Sequence, residues 1–281
     1  MRYSVVVALC LAGAGLLAAC GNQTTEASRA LQSIDLIDET NLADVMLTVA
    51  EPEEAVGFFR TALEDQPDRL DLKRGLARSL VRAARPTEAV AHWREITARP
   101  DATNEDRVAY ADALIRTNDW QAARAELDRV PPTHETFERY RLEAMLADSQ
   151  RQWSRADSFY ETAVGLTTRP ATVLNNWGFS KLTRGDSAGA ERLFVEALSY
   201  DPGIFAAKNN LVMARAAQRN YTLPMVSMTQ TERAQLLHTM AVAAVKQGDV
   251  TTGRSLLQDA IDTHPQHFEE AVRALRALDS A

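Results

Sequence analysis

The thiol of Cys20 is the one nucleophile that its surroundings single out. It closes the run Leu17-Ala18-Ala19-Cys20, directly behind an apolar stretch over 5–19 that is headed by Arg2. A cysteine placed behind small residues can be acylated on sulfur once the segment before it is cut away. The other candidate groups are sparse. Cys10 lies inside the apolar stretch and leaves with it. Of the five histidines, only His264 and His267 are close, and Pro265 keeps them off a common helical face with no thiol or carboxylate at ligand spacing. His92, His134 and His238 stand alone. The tandem amides Asn175-Asn176 and Asn209-Asn210 are of a different kind, because a carboxamide donates and accepts at once. No Gly-rich phosphate loop, paired-glycine dinucleotide turn or Ser nucleophile elbow occurs. The chain therefore reads as a non-enzyme, with no catalytic residue, metal or cofactor.

The elements that position Cys20 are those of an export signal. A positive start, a short apolar run and small residues before a cut site mark a secretory leader, and the run is shorter than the roughly 20 residues that span a bilayer. Leu17 to Cys20 resemble the bacterial lipobox, which implies cleavage before Cys20, a diacylglycerol thioether on its sulfur and a palmitate-type acyl group. The alternative is an ordinary signal with an incidental cysteine. The expected organisation is a lipoprotein signal over 1–19, a lipidated Cys20 with a flexible tether to residue 34, and a folded region over 35–281. Residues 21–33 are small and polar, and fully extended they reach about 45 Å at ~3.4 Å each.

Removing residues 1–19 takes away Arg2 and no acidic residue, leaving 38 acidic against 30 basic side chains and a net charge near −8. Such a chain lacks the cationic stripe that phosphate backbones require, which argues against nucleic acid as a partner. With Cys10 removed and Cys20 acylated, no thiol is left for a disulfide, so stability rests on packing.

The folded region is periodic. Ala55, Ala89, Ala123, Ala156 and Ala190 recur at spacings of 34, 34, 33 and 34 residues; four residues after each stands Phe59, Trp93, Leu127, Tyr160 or Phe194, and three further on Ala62, Ile96, Val130, Ala163 or Ala197. Small residues suited to a tight helix contact (Ala77, Ala111, Ala144, Gly178) and turn sequences (Asn118-Asp119-Trp120, Gly185-Asp186) hold the same phase. This pattern resembles the tetratricopeptide repeat (TPR), and implies an all-α TPR solenoid of about six to seven helix-turn-helix units with a C-terminal capping helix over 267–278. The phase breaks after Phe205–Arg219, an expected first helix. Pro224 then falls where a small helical residue is required, and an interior proline costs about 3 kcal/mol, so 220–231 is expected to be a loop that replaces a second helix. Thr231 is expected to cap the next first helix over 232–247. The loop, with Leu223, Met225, Val226 and Met228, either folds back on the helices or offers adaptable methionines to a partner.

First helices of stacked TPR units line a groove, and the phase puts Arg74, Arg78, Asp112, Arg116, Arg141, Met145, Asn175, Asn176, Phe179, Asn209, Asn210 and Met213 on that face. The resemblance implies that Asn176 and Asn210 clamp a ligand backbone. The alternative is that the amides bond neighbouring helices and the arginines are solvated.

Taken with the lipobox, the whole chain resembles the TPR lipoproteins of the tight-adherence (Tad, or Flp pilus) secretion system. The residues carrying this are Asn41-Leu42-Ala43-Asp44-Val45-Met46, Arg74-Gly75-Leu76-Ala77-Arg78-Ser79-Leu80, Pro131-Pro132-Thr133-His134-Glu135-Thr136, Asn175-Asn176-Trp177-Gly178 and Asn220-Tyr221-Thr222-Leu223-Pro224. The resemblance implies a pilotin-like assembly factor on the periplasmic face of the outer membrane that binds a pilus secretin, with no small-molecule substrate. Gly21 replaces the Asp that would retain the protein at the inner membrane. The alternative is a general cell-envelope TPR lipoprotein serving outer-membrane protein or cell-wall machinery.

Overall fold

The computed structural model describes residues 42–279, so the signal, Cys20 and the tether lie outside the described residues. Within them the chain is all-α. A helical segment at 42–48 precedes thirteen helices, and the described residues contain no strand. Two compact units divide at Thr117 and Asn118.

The first unit holds the segment 42–48, α1 (Pro52–Asp65), α2 (Leu70–Arg82), α3 (Pro86–Thr97) and α4 (Asn104–Arg116), each helix packed on the next. Pro52 and Pro86 open their helices, where a missing N–H costs nothing and φ is already helical. Ala55, Phe59, Ala77, Ala89 and Trp93 are fully buried, as the repeat phase requires. A Cβ on Gly75 would lie 2.3 Å from the Phe59 ring, so α1 and α2 meet at a contact only glycine permits. Arg82 reaches back and donates to the carbonyls of Met46 (3.1 Å), Leu47 (2.8 Å) and Ala50 (2.7 Å), closing the end of the 42–48 segment. Charge-assisted bonds of this kind are worth about 1.5–3 kcal/mol when partly buried and less in water. Arg82→Ala is expected to speed amide exchange over 42–50 by about 5- to 30-fold, equivalent to 1–2 kcal/mol, while α3 and α4 keep their protection. Unchanged exchange in that segment would show that the guanidinium does not hold it.

The second unit holds α5 (Trp120–Leu127), α6 (Phe137–Ser149), α7 (Trp153–Gly165), α8 (Ala171–Thr183), α9 (Ser187–Tyr200), α10 (Phe205–Ala217), α11 (Gln230–Lys246), α12 (Val250–Thr263) and α13 (Glu269–Asp279). The pairs α6–α7, α8–α9 and α11–α12 are hairpins. Ala156, Tyr160, Ala190 and Phe194 fill their centres. Gly178 is the tight contact of α8–α9: a Cβ there would sit 2.6 Å from the Phe194 ring.

The first helices all end alike. The second residue beyond α2, α4, α6, α8, α10 and α11 has positive φ: Ala84, Asn118, Arg151, Gly185, Arg219 and Gly248. At five of these ends the following N–H donates to the carbonyl five residues back, for example Arg85 to Leu80 (2.8 Å) and Asp249 to Ala244 (2.9 Å). This left-handed cap satisfies carbonyls that the helix leaves open. Asp119, Asp186 and Asp249 then cap the next helix by accepting from an N–H three residues on.

After α10 no second helix follows. Arg219 makes the usual turn, but Pro224 is buried in an irregular segment over 218–229, and α11, a first helix, packs directly on α10. The segment ends two residues sooner than the expected 220–231. Thr229, not Thr231, is the N-cap: it accepts from the Glu232 N–H (3.1 Å) while the Glu232 carboxylate accepts from the Thr229 N–H (2.7 Å). The reciprocal pair needs an acid three residues after the cap, and Thr231 has Ala234 there. Glu232 also pairs with Lys208 of α10 at 2.9 Å, and Lys208 is only 3% exposed. The capping helix α13 runs over Glu269–Asp279 rather than 267–278. It buries Ala271 against α12 and is tied to it by Arg254, which pairs with Asp279.

Candidate functional site

Of the groove-facing arginines of the first unit, Arg74 and Arg116 have structural partners. Arg74 makes a bidentate pair with Asp106 (Nε to Oδ1 2.7 Å, Nη2 to Oδ2 2.6 Å), and Asp106 is 1% exposed. The same carboxylate accepts from the Thr103 N–H, completing the capping box of α4. Burial would raise the Asp106 pKa, but the Arg74 guanidinium and the Thr103 donors outweigh it and hold the carboxyl below the usual range. Arg116 pairs with Asp112 one turn away at 2.7 Å. Arg78 is exposed.

In the second unit the expected residues on α6, α8 and α10, with the facing side of α11, fall into two rows. The first is polar. Asn210 Nδ2 donates to Asn175 Oδ1 (3.1 Å), Thr239 Oγ1 donates to Asn209 Oδ1 (2.9 Å), Asn176 Nδ2 lies 3.6 Å from the Met145 sulfur, and Asn209 Nδ2 lies 3.7 Å from that of Met213. Arg141 Nη1 approaches the Met145 sulfur at 3.7 Å. The asparagines thus make contacts from helix to helix.

The second row is apolar. Phe179 is 49% exposed and Met213 40% exposed. Beside Met213 opens a groove of about 490 Å³ between α8, α10 and α11, walled by Leu182, Ala217, Val242 and Ala243. His238 and Thr239 stand on its polar side, Lys246 and Gln247 at its end. Lowered by burial against the pull of Glu270, the His238 pKa lies under the usual histidine value, and its ring packs on Phe268 at 5.5 Å. Gln247 is held by Tyr221 Oη (2.9 Å) and donates to the Ala216 carbonyl (2.8 Å), which fixes the irregular segment under the groove. Tyr221, Leu223 and Met228 pack into the α11–α12 core, and Val226 into that of α9–α10. The loop therefore folds back. Met225 alone projects fully into solvent.

Behind the polar row, Asp148 accepts from Ser180 Oγ (2.7 Å) and Tyr160 Oη (2.9 Å), joining α6, α7 and α8. Burial raises its carboxyl above the usual range despite those two donors. Asp157, by contrast, accepts from Trp177 Nε1, Lys181 and Arg184, and these donors overcome burial and lower its pKa.

Sequence phase alone missed the α11 wall. Omission of a helix resets the register, so counting forward from α10 does not reach it. Counting back twelve residues from Gly253 finds it, because Ala241 then takes the small position and His238, Thr239 and Val242 take groove-facing ones.

A family model described as tetratricopeptide repeat matches residues 74–134. No curated protein matches in sequence. Among solved structures, the chain is similar to the Cut9–Hcn1 hetero-tetramer of the APC/C (TM-score 0.58, 12% identity, 84% of this chain and 48% of that one). It is also similar to the human IFIT1 dimer with PPP-AAAA (0.59, 14%, 81% and 59%). A third likeness is to a tetratricopeptide repeat protein of Parabacteroides merdae (0.52, 12%, 88% and 96%). The chain spans about half the length of the first and under two thirds of the second. These likenesses are of fold, and the fold is an all-α TPR solenoid. Among the described residues no helix is long and apolar enough to cross a membrane, and no group of His, Cys, Asp and Glu could hold a metal.

Proposed function

We propose that this protein is a non-enzymatic scaffold that is anchored by lipid at Cys20, faces the periplasm from the outer membrane, and assists assembly or localisation of a Tad/Flp pilus secretin by binding a segment of it. The observation that carries the binding half of this reading is the half-exposed Met213 on the wall of the α8–α10–α11 groove, with Phe179 exposed one repeat earlier on α8. Exposed aromatic and methionine side chains next to a concave apolar surface are the composition of partner-binding patches. The anchor rests on Leu17-Ala18-Ala19-Cys20 and the partner on the family resemblance.

Purification of the full-length protein from membranes tests both halves. A pilus secretin should co-purify with wild type, and the pair Phe179→Ser and Met213→Ser should reduce its recovery about tenfold with the melting temperature unchanged. Palmitate label should be lost in Cys20→Ser. Recovery of barrel-assembly or cell-wall enzymes in place of a secretin would favour the general envelope lipoprotein, and label retained in Cys20→Ser would remove the anchor.

A further inference from the structure

We infer that the occupant of the α8–α10–α11 groove is an amphipathic helix bearing a carboxylate, docked with its apolar face on Phe179 and Met213 and its acid on Lys246. The inference rests on the partner-binding reading above and deepens it. An extended peptide is held by side chains that donate to and accept from its backbone together, as a free carboxamide can. None of the four asparagines has both edges free. The oxygens of Asn175 and Asn209 already accept from the next helix, the Asn210 amide nitrogen donates to Asn175, and that of Asn176 is turned to the Met145 sulfur. A partner bound here has to satisfy its own backbone, and a helix does so internally.

Charge sets the second requirement. Of the residues lining the groove, Lys246 is the one carrying a full charge; it is exposed and forms no ion pair among the described residues. His238, on the other side, has its pKa lowered by burial, which disfavours its charged form. The surface therefore presents an apolar floor with a single cation at one end. An apolar stripe with one Asp or Glu within a turn of it is complementary.

The test uses the full-length protein in its own cells, with the photoreactive residue benzoylphenylalanine placed at position 179 or 213 and the crosslinked partner segment identified by mass spectrometry. That segment, made as a synthetic peptide, is then titrated against wild type and variants. The expected segment carries apolar residues at i, i+3 or i+4, and i+7 with a nearby acid, and gains helical circular dichroism on binding. Lys246→Glu should weaken it about tenfold or more, whereas Asn176→Ala with Asn210→Ala should change affinity less than threefold. A peptide that binds without gaining helix, or that ignores Lys246→Glu, overturns the helical acidic occupant and leaves partner binding standing. Crosslinks at neither position overturn both.

Discussion

Arg74→Ala is expected to destabilise the first unit by about 3–5 kcal/mol, the cost of leaving a buried carboxylate without its partner. Asp106 is 1% exposed and Arg74 is its bidentate partner, so the alanine variant keeps the desolvated charge and loses what compensates it. Asp106→Asn in the same background should recover part of the loss, because it removes the charge. The sign of the pH dependence follows from the lowered carboxyl. Its contribution is fully present above the unfolded-state value of about 3.9 and fades as pH falls through the lower folded value. The gap between wild type and Arg74→Ala should therefore narrow in denaturant titrations below about pH 4. A gap that is constant across that range, or one under 1 kcal/mol, would mean that Arg74 is a surface residue free to meet a ligand.

Phe194→Ala is expected to cost a further large amount, about 3–5 kcal/mol, the usual range for emptying a buried aromatic site. Phe194 is fully buried between α8 and α9, against the backbone of Gly178. The same contact gives a second reading. Gly178→Ala alone should destabilise by about 1–3 kcal/mol through overpacking, but by much less when Phe194→Leu has already withdrawn the ring edge. Thermal or denaturant melts of the two single variants and the double variant measure the coupling, and strict additivity would show that the glycine is not needed for the helix approach.

The spacing of Ala156, Tyr160, Ala190 and Phe194 was legible in the sequence because packing in a stacked hairpin admits only small residues where helices touch and large ones where they diverge. The same spacing hid Gly75, since its contact is with Phe59 of the preceding helix and no repeat-wide signal marks it. The turn at Arg151 or Arg219 was equally hidden: only Gly185 and Gly248 use the residue that normally announces positive φ. For the candidate surface, periodicity assigned side chains to helix faces but could not say what those side chains bond. Arg74 stands at a groove-facing position and is held by an acid 32 residues away. Asn175 and Asn210 lie 35 residues apart in sequence and bond each other. Such pairings depend on the stacking offset between repeats, which a one-dimensional phase does not contain.

The missing second helix after α10 also has a consequence for how the chain comes apart. In linear repeat arrays, cooperativity passes only between neighbours, so the weakest junction sets where one folding unit stops and another starts. At this junction one outer helix is replaced by twelve irregular residues over 218–229, and coupling across it runs through the α10–α11 face, Lys208 with Glu232, and the side chains of the irregular segment. The hairpin α11–α12 with α13 encloses Leu236, Met240, Leu257 and Ala271 in a core that also takes in Val212 of α10 and the irregular segment's Tyr221, Leu223 and Met228. Residues 230–279, which carry the α11 wall of the groove, are therefore expected to exchange their amides faster than the α8–α9 hairpin around Phe194, and equal exchange in the two would show that the irregular segment couples them fully.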